Sequence, residues 1–301
     1  MKLLKIITIN IITIFCLLFM LELYAALDSI QFFERYYNAI FETITPQEHL
    51  QILNNKNDNF FSFREDRNIN SKKEPIIIMG CSFANGLFLD KKDVVSYKMS
   101  QLIDNPIYNR AYNGWGVKQM LYQLENRYIY QEIKKEPKYI IYFFISDHIA
   151  RLQGHKFNPL DREFVPYYKE EKGKLIGQNP NILNKLIFSE YFYLLKGRKD
   201  QEDFKINKTN IYFNEAKKAM QRKWRNTKIV IAIYPRYYDN KTKMKEWMDI
   251  MRKNGFIVID ISALTDEDLT SLKYQINDRY HPNAEAWDVV LPPLLKELNL
   301  L

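Results

Sequence analysis

From Pro75 to the carboxyl terminus, apolar residues alternate between two patterns. Short continuous runs such as Ile76-Ile77-Ile78-Met79 are bounded by Gly or polar residues. Between them lie longer stretches whose apolar positions recur three and four apart. A continuous β-branched run of this length predicts a strand covered on both faces, and the three-four spacing predicts an amphipathic helix. The pattern places strands at 76–79, 107–109, 139–145, 228–234 and 256–261, with 139–145 the most continuous and so expected at the centre of the sheet. It places helices at 92–103, with Val94, Val95, Met99 and Leu102 inward, and after Gly116, with Val117, Met120, Leu121, Leu124 and Tyr128 on one face. Further helices are expected at 211–224 and 243–253, and Thr265-Asp266-Glu267-Asp268 reads as another helix start with acids in its first turn. A last helix begins near Asn283, and Pro292-Pro293 should kink or interrupt it. This alternation predicts a three-layer α/β fold: a flavodoxin-like, five-stranded parallel sheet with helices on both faces and right-handed crossovers.

Two stretches break the rhythm. Residues 151–210 are rich in Tyr, Phe and Lys and read as an insertion holding one or two helices, such as 184–195, that could form a lid, a substrate wall or a surface lobe. At the amino terminus, Lys2 and Lys5 precede an apolar run from Ile6 to Leu27 interrupted by Glu22. As a helix it would span roughly 33 Å, about one bilayer core. The lysines would hold its start in the cytoplasm. Large residues before Ala25 and Ala26 disfavour cleavage of a signal peptide, so residues 1–27 read as one N-terminal transmembrane anchor. Residues 28–74 then form a juxtamembrane helix and linker. Its aromatic face, from Phe32 to Phe41, either packs on the main domain or lies in the headgroup region. Residues 75–301 form the main domain, expected on the periplasmic or extracellular side of the cell membrane.

Composition narrows the class. The net charge of +8 is scattered in short Lys pairs, which suits a solvated surface better than a nucleic-acid footprint. With Cys16 in the apolar run and Cys81 beside Ser82, no intramolecular disulfide is expected. No Cys/His spacing suggests a metal site, and no cofactor motif is present.

The first strand ends in Gly80-Cys81-Ser82-Phe83-Ala84-Asn85-Gly86. Ligands of open α/β sheets bind at the carboxyl ends of strands, so Ser82 stands where a nucleophile would, although Gly-Ser also commonly caps a helix. Ahead of the last helix lies Asn277-Asp278-Arg279-Tyr280-His281-Pro282-Asn283. A carboxylate three residues before a histidine can accept its Nδ1–H and leave Nε2 free as a base, which a serine hydroxyl needs. Such a pair can also be a surface hydrogen bond.

Together these segments resemble the first and last blocks of the SGNH/GDSL hydrolases. Asn109 and Gly114 after the second strand resemble the second block. The resemblance runs from Pro75 to the carboxyl terminus, interrupted by 151–210. It implies a Ser82–His281–Asp278 triad, with the backbone N–H groups of Ser82 and Gly114 in an oxyanion hole. Cys81 stands where the family has Asp; it reads as a buried inert thiol rather than a competing nucleophile. Ser146, in Phe144-Ile145-Ser146-Asp147-His148, stands where the family has Asn and could donate through its hydroxyl. His148 is an alternative donor or a packed histidine, and Trp115 is a core or pocket-wall residue or a ring-stacking platform. The implied activity is ester hydrolysis or O-acyl (acetyl) transfer on a cell-envelope glycan or similar ester. A non-catalytic envelope protein that binds a partner and a lipid esterase are the alternatives.

Overall fold

The computed structural model describes residues 64–125, 127–152, 167–171, 174–178, 202–236 and 239–301, with Leu17 and Met20. The expected transmembrane run, the aromatic helix and the 184–195 helix otherwise lie outside the described residues. Among the described residues no helix is long and apolar enough to cross a membrane.

Strands β1 (Ile76–Gly80), β2 (Ile107–Asn109) and β3 (Tyr139–Phe144) join two later ones in a five-stranded sheet. Across the sheet these form the expected parallel order, β2-β1-β3 followed by the strands at Lys228–Ile233 and Ile257–Asp260. The antiparallel pair β4 (Tyr167–Glu171) and β5 (Lys174–Gln178) lies apart from it, so the two later parallel strands are β6 and β7. The sequence predicts one or two helices within the 151–210 insertion and no strand, so this hairpin is an addition to that reading. β3 is central and buried along its whole length.

Apolar side chains along β1 alternate between two cores, which is why the strand has no polar face. Ile76 and Ile78 join the core containing Met99, Leu291 and Leu294. Ile77 and Met79 join the one containing Leu121, Phe213 and Trp247. After the four-residue α1 (Ser82–Asn85), α2 (Val95–Leu102) belongs to the first core. α3 (Val117–Glu125), and beyond the short α4 (Arg127–Glu132) and α5 (Asp147–Arg151), α6 (Glu202–Gln221) and α7 (Lys241–Lys253) cover the second. The last helix, α8 (Ala284–Glu297), returns to the first core.

Three expectations are corrected. Leu102 is 39% exposed, at the end of α2 rather than on its buried face. No α-helix starts at Thr265: the Asp268 carboxylate takes the Thr270 N–H and hydroxyl at 3.0 and 2.7 Å, and Thr265 Oγ1 takes the Glu267 N–H at 3.2 Å. Short polar side chains there capture local N–H groups in a turn instead of capping a helix. α8 runs unbroken through Pro292 and Pro293. Leu291, Leu294 and Leu295, fully buried around the prolines, hold the helix on the sheet despite two missing N–H donors.

Residues 64–74, read from sequence as linker, pack against the domain. Arg67 pairs with Ile107 of β2, and the buried Arg64 donates from Nε to the Asn85 carbonyl at 2.7 Å and from Nη2 to that of Gly86 at 2.5 Å. Arg64 thereby satisfies the carbonyls at the end of α1.

Candidate active site

β1 is flanked by β2 and β3, and the chain leaves it to one side and then crosses to the other. The crevice at that reversal is the ligand site of open α/β sheets, and the turn after β1 opens into it. Gly80 makes the turn at φ +142°, and a Cβ there would sit 2.8 Å from the Phe143 carbonyl oxygen of β3. Only glycine allows that conformation and that approach. Ser82 is the first residue of α1, so its N–H has no acceptor within the helix.

Cys81, one residue earlier, is fully buried and belongs to the first apolar core. It lies within reach of the Arg151 guanidinium. Burial would lower that guanidinium's pKa, but Cys81, Tyr280 and Asp147 hold it above the ordinary value.

The loop bearing the histidine follows β7. Its ends are drawn together by the Gln275–Pro282 bridge, by Ile276 N–H donating to the His281 carbonyl at 3.0 Å, and by Asn283 N–H donating to that of Tyr274 at 3.0 Å. Asn283 also caps α8, its side chain accepting the Ala286 N–H at 3.0 Å. Within the loop, Asp278 Oδ1 accepts the Tyr280 and His281 N–H groups at 2.8 and 2.9 Å, and Oδ2 lies 2.5 Å from His281 Nδ1. A carboxylate facing Nδ1 makes that nitrogen the donor, so Nε2 is the acceptor. Nε2 lies 2.7 Å from Ser82 Oγ, which therefore donates to it. The Asp278 and His281 side chains are 2% and 3% exposed, so bulk water does not compete for these bonds. The structure thus brings together Ser82, His281 and Asp278 in a continuous hydrogen-bonded line.

Gly114 lies on the loop after β2. That loop continues the parallel ladder past the strand: Arg110 N–H donates to the Ile78 carbonyl at 2.7 Å and Tyr112 N–H to that of Gly80 at 3.2 Å. The Trp115 N–H closes a turn on the Tyr112 carbonyl at 3.1 Å, with Gly114 at its third position at φ +77°. Two buried asparagines tie this loop to α1. Asn85 Nδ2 donates to the Ala111 carbonyl at 3.0 Å, and Asn109 donates to that of Ala84 at 2.9 Å while accepting the Ala111 N–H at 3.1 Å. In sequence Asn109 belongs to a motif, and Asn85 carries no signal of a role. A fully buried amide directly beside a strand end is the signal that such ties exist.

Ser146 follows β3. Its hydroxyl is buried beside the Asp239 carboxylate without the geometry of a full hydrogen bond. Burial raises the Asp239 carboxyl, against Ser146 and the Arg236 N–H and guanidinium, which lower it.

His148 is a packed histidine: fully buried, its ring edge-on to Phe144 at 5.4 Å and its Nδ1 2.9 Å from the Tyr142 hydroxyl. Burial and then Arg151 push it well below its ordinary value. Trp115 is half-buried, its ring 4.9 Å from that of Tyr112 and its carbonyl accepting from Arg151 Nη1 at 2.7 Å. Among the described residues no cluster of three or more His, Cys, Asp or Glu could hold a metal ion.

No family model and no curated protein matches the chain in sequence. Solved structures to which its fold is similar include TesA, at 12% identity and TM-score 0.45 over 76% of this chain and all of that one. Another is a member of the lipolytic protein G-D-S-L family from Veillonella parvula DSM 2008, at 15% identity and TM-score 0.45 over 76% of this chain and all of that one. A third is a family two carbohydrate esterase from Clostridium thermocellum, solved with cellohexaose, at 10% identity and TM-score 0.42 over 76% of this chain and 66% of that one. At such identities and scores, any chemistry assigned to this chain rests on its own residues.

Proposed function

We propose that the chain is an SGNH-type serine ester hydrolase or O-acyltransferase, held at the membrane by its N-terminal apolar run with the α/β domain on the outer side. Its substrate would be an acyl ester, such as an acetyl group on a cell-envelope glycan. The observation that carries this reading is the relay from Asp278 Oδ2 through His281 to Ser82 Oγ, made by residues 199 positions apart and sealed from solvent. A structural pair would satisfy Asp278 and His281 alone; it would not aim the free imidazole nitrogen at a serine at a strand's carboxyl end.

In the proposed reaction Ser82 Oγ attacks the ester carbonyl carbon as its proton passes to His281 Nε2. Asp278 stabilises the resulting imidazolium, and the oxyanion is held by the Ser82 and Gly114 N–H groups. Ser146 would add a third donor if its hydroxyl turned from Asp239. One such donor is typically worth about 3–4 kcal/mol of transition-state stabilisation. His281 then returns the proton to the leaving alkoxide, which leaves the acyl group on Ser82. The same base next takes a proton from water, giving an esterase, or from a second sugar hydroxyl, giving a transferase, as that oxygen attacks the acyl carbon; the acyl–Ser82 Oγ bond then breaks and His281 returns the proton to Ser82 Oγ. The membrane tether and the glycan rest on the amino-terminal pattern and the resemblance.

The test is release of acetate from acetylated glycans and from an aryl acetate by wild type and by Ser82→Ala, with long-chain aryl esters in parallel. Acetate release that Ser82→Ala abolishes supports the proposal, and preference for long chains would favour lipid esters instead. A folded domain active on none of these would return the non-catalytic reading.

A further inference from the structure

We infer that Arg236 is a positioning residue for the acid–base half of this site, acting through Tyr280; the inference rests on the serine-hydrolase reading. Arg236 follows β6 and is 6% exposed. Its guanidinium carbon lies 3.4 Å from the centroid of the Tyr280 ring and 4.9 Å from that of Phe83. Its Nη1 donates to the Tyr280 carbonyl at 3.3 Å, and its backbone N–H is held by Asp239 Oδ2 at 2.9 Å.

The two rings it touches belong to the immediate neighbours of the proposed nucleophile and base. Phe83 follows Ser82, and Tyr280 precedes His281. The Tyr280 ring meets His281 at 5.1 Å and Phe83 at 5.7 Å, both edge-on, and Phe83 in turn lies 5.1 Å from His281. One planar cation from the loop after β6 therefore ties together two segments far apart in the chain, whose Ser82 and His281 are 199 positions apart.

The loop needs such support. Arg279, just before Tyr280, stands at φ +55°, a region unfavourable for a residue with a side chain, so contacts from outside the loop must help hold its path. Stacking on one ring while donating to that residue's carbonyl uses a flat face and a fixed fork of donors. Arginine has both and lysine has neither. If the loop shifts, Nε2 moves off the Ser82 hydroxyl, and a misplacement of about 1 Å typically costs on the order of 100-fold in rate.

The experiment compares Arg236→Lys, Arg236→Ala, Tyr280→Leu and Arg236→Ala/Tyr280→Leu in the full chain, on an aryl acetate, with Ser82→Ala as reference. The expected result is a fall of about 10- to 100-fold in kcat for both Arg236 variants, with KM within about twofold of wild type. The double variant should be no slower than the slower single, because both remove one linkage. Arg236→Lys should melt with wild type, which separates positioning from folding. The inference is overturned if kcat stays within about threefold of wild type, if the loss lies in KM, or if the single losses multiply in the double. It is also overturned if every Arg236 variant unfolds, since the residue would then be structural. Full activity in Ser82→Ala would instead overturn the serine-hydrolase reading, whatever Arg236 does.

Discussion

Replacing Asp278 with Asn changes one atom's chemistry in the proposed relay. The Asp278 carboxylate uses both oxygens, Oδ1 on the Tyr280 and His281 N–H groups and Oδ2 on His281 Nδ1. An asparagine must give one of these positions an NH2 group. Facing it toward two backbone N–H groups would forfeit two hydrogen bonds and set donors against donors, at about 1–3 kcal/mol for each buried group left unsatisfied. Facing it toward Nδ1 keeps all three bonds but reverses one, the amide donating to Nδ1 as an acceptor, so the second orientation prevails. The imidazole proton then resides on Nε2, which can no longer accept from Ser82 Oγ. The base is present, correctly placed and in the wrong tautomer. Loss of the correct tautomer in a serine triad lowers kcat by about 10⁴-fold, about 5 kcal/mol in the barrier. Because the Oδ1 bonds survive, the loop should keep its shape and KM should change little. The assay is steady-state hydrolysis of an aryl acetate at neutral pH, with a thermal melt of each protein. A kcat within about tenfold of wild type would refute the reasoning, because Asp278 would then not set the tautomer.

Other expectations follow from the same geometry. Gly80→Ala should destabilise the domain by about 3 kcal/mol or more and lower the urea midpoint, because a Cβ at φ +142° meets the Phe143 carbonyl at 2.8 Å. His148 is held neutral by burial, with its pKa well below the ordinary 6.5. The unfolded chain therefore binds the extra proton first, and this contribution to stability is present above about pH 6.5 and lost as pH falls below it. Urea midpoints measured from pH 7.5 down to 5 should fall, and His148→Asn should flatten that slope. Asp239 has the opposite sign: its carboxyl is raised by burial, so its contribution is present below the ordinary carboxylate range and lost as pH rises through the folded value. Asp239→Asn, which can still accept the Arg236 N–H, should be at least as stable as wild type at pH 7, with any gain vanishing at low pH in the same assay.

The sheet was legible because its strands are apolar on both faces, and a run such as Ile76-Ile77-Ile78-Met79 has few other ways to be buried. The three residues of the relay could be proposed from sequence because their types and chain-end positions converge on one edge of a parallel sheet and because the segments that carry them resemble the SGNH/GDSL blocks. What could not be read was held by contacts between distant segments. Nothing around Arg236 in the sequence announces Tyr280, 44 residues later, and nothing near Arg64 announces the end of α1. The two prolines of α8 misled for the same reason, since local rules break a helix that buried leucines hold together. The Thr265 turn misled in reverse: the acids that favour a helix start also satisfy a turn, and local hydrogen bonds decided between them. His148 is ambiguous in sequence because the fold alone sets the Tyr142 hydroxyl and the Phe144 ring around it.

The central claim is that Ser82 is a nucleophile activated by His281. The most direct measurement is reaction of the intact protein with a fluorophosphonate, followed by peptide mass spectrometry to locate the adduct. The account predicts one adduct, on Ser82, that forms in wild type and is lost in both Ser82→Ala and His281→Ala. A folded protein that acquires no adduct, or one modified on Cys81 or on Ser146 instead, would contradict it.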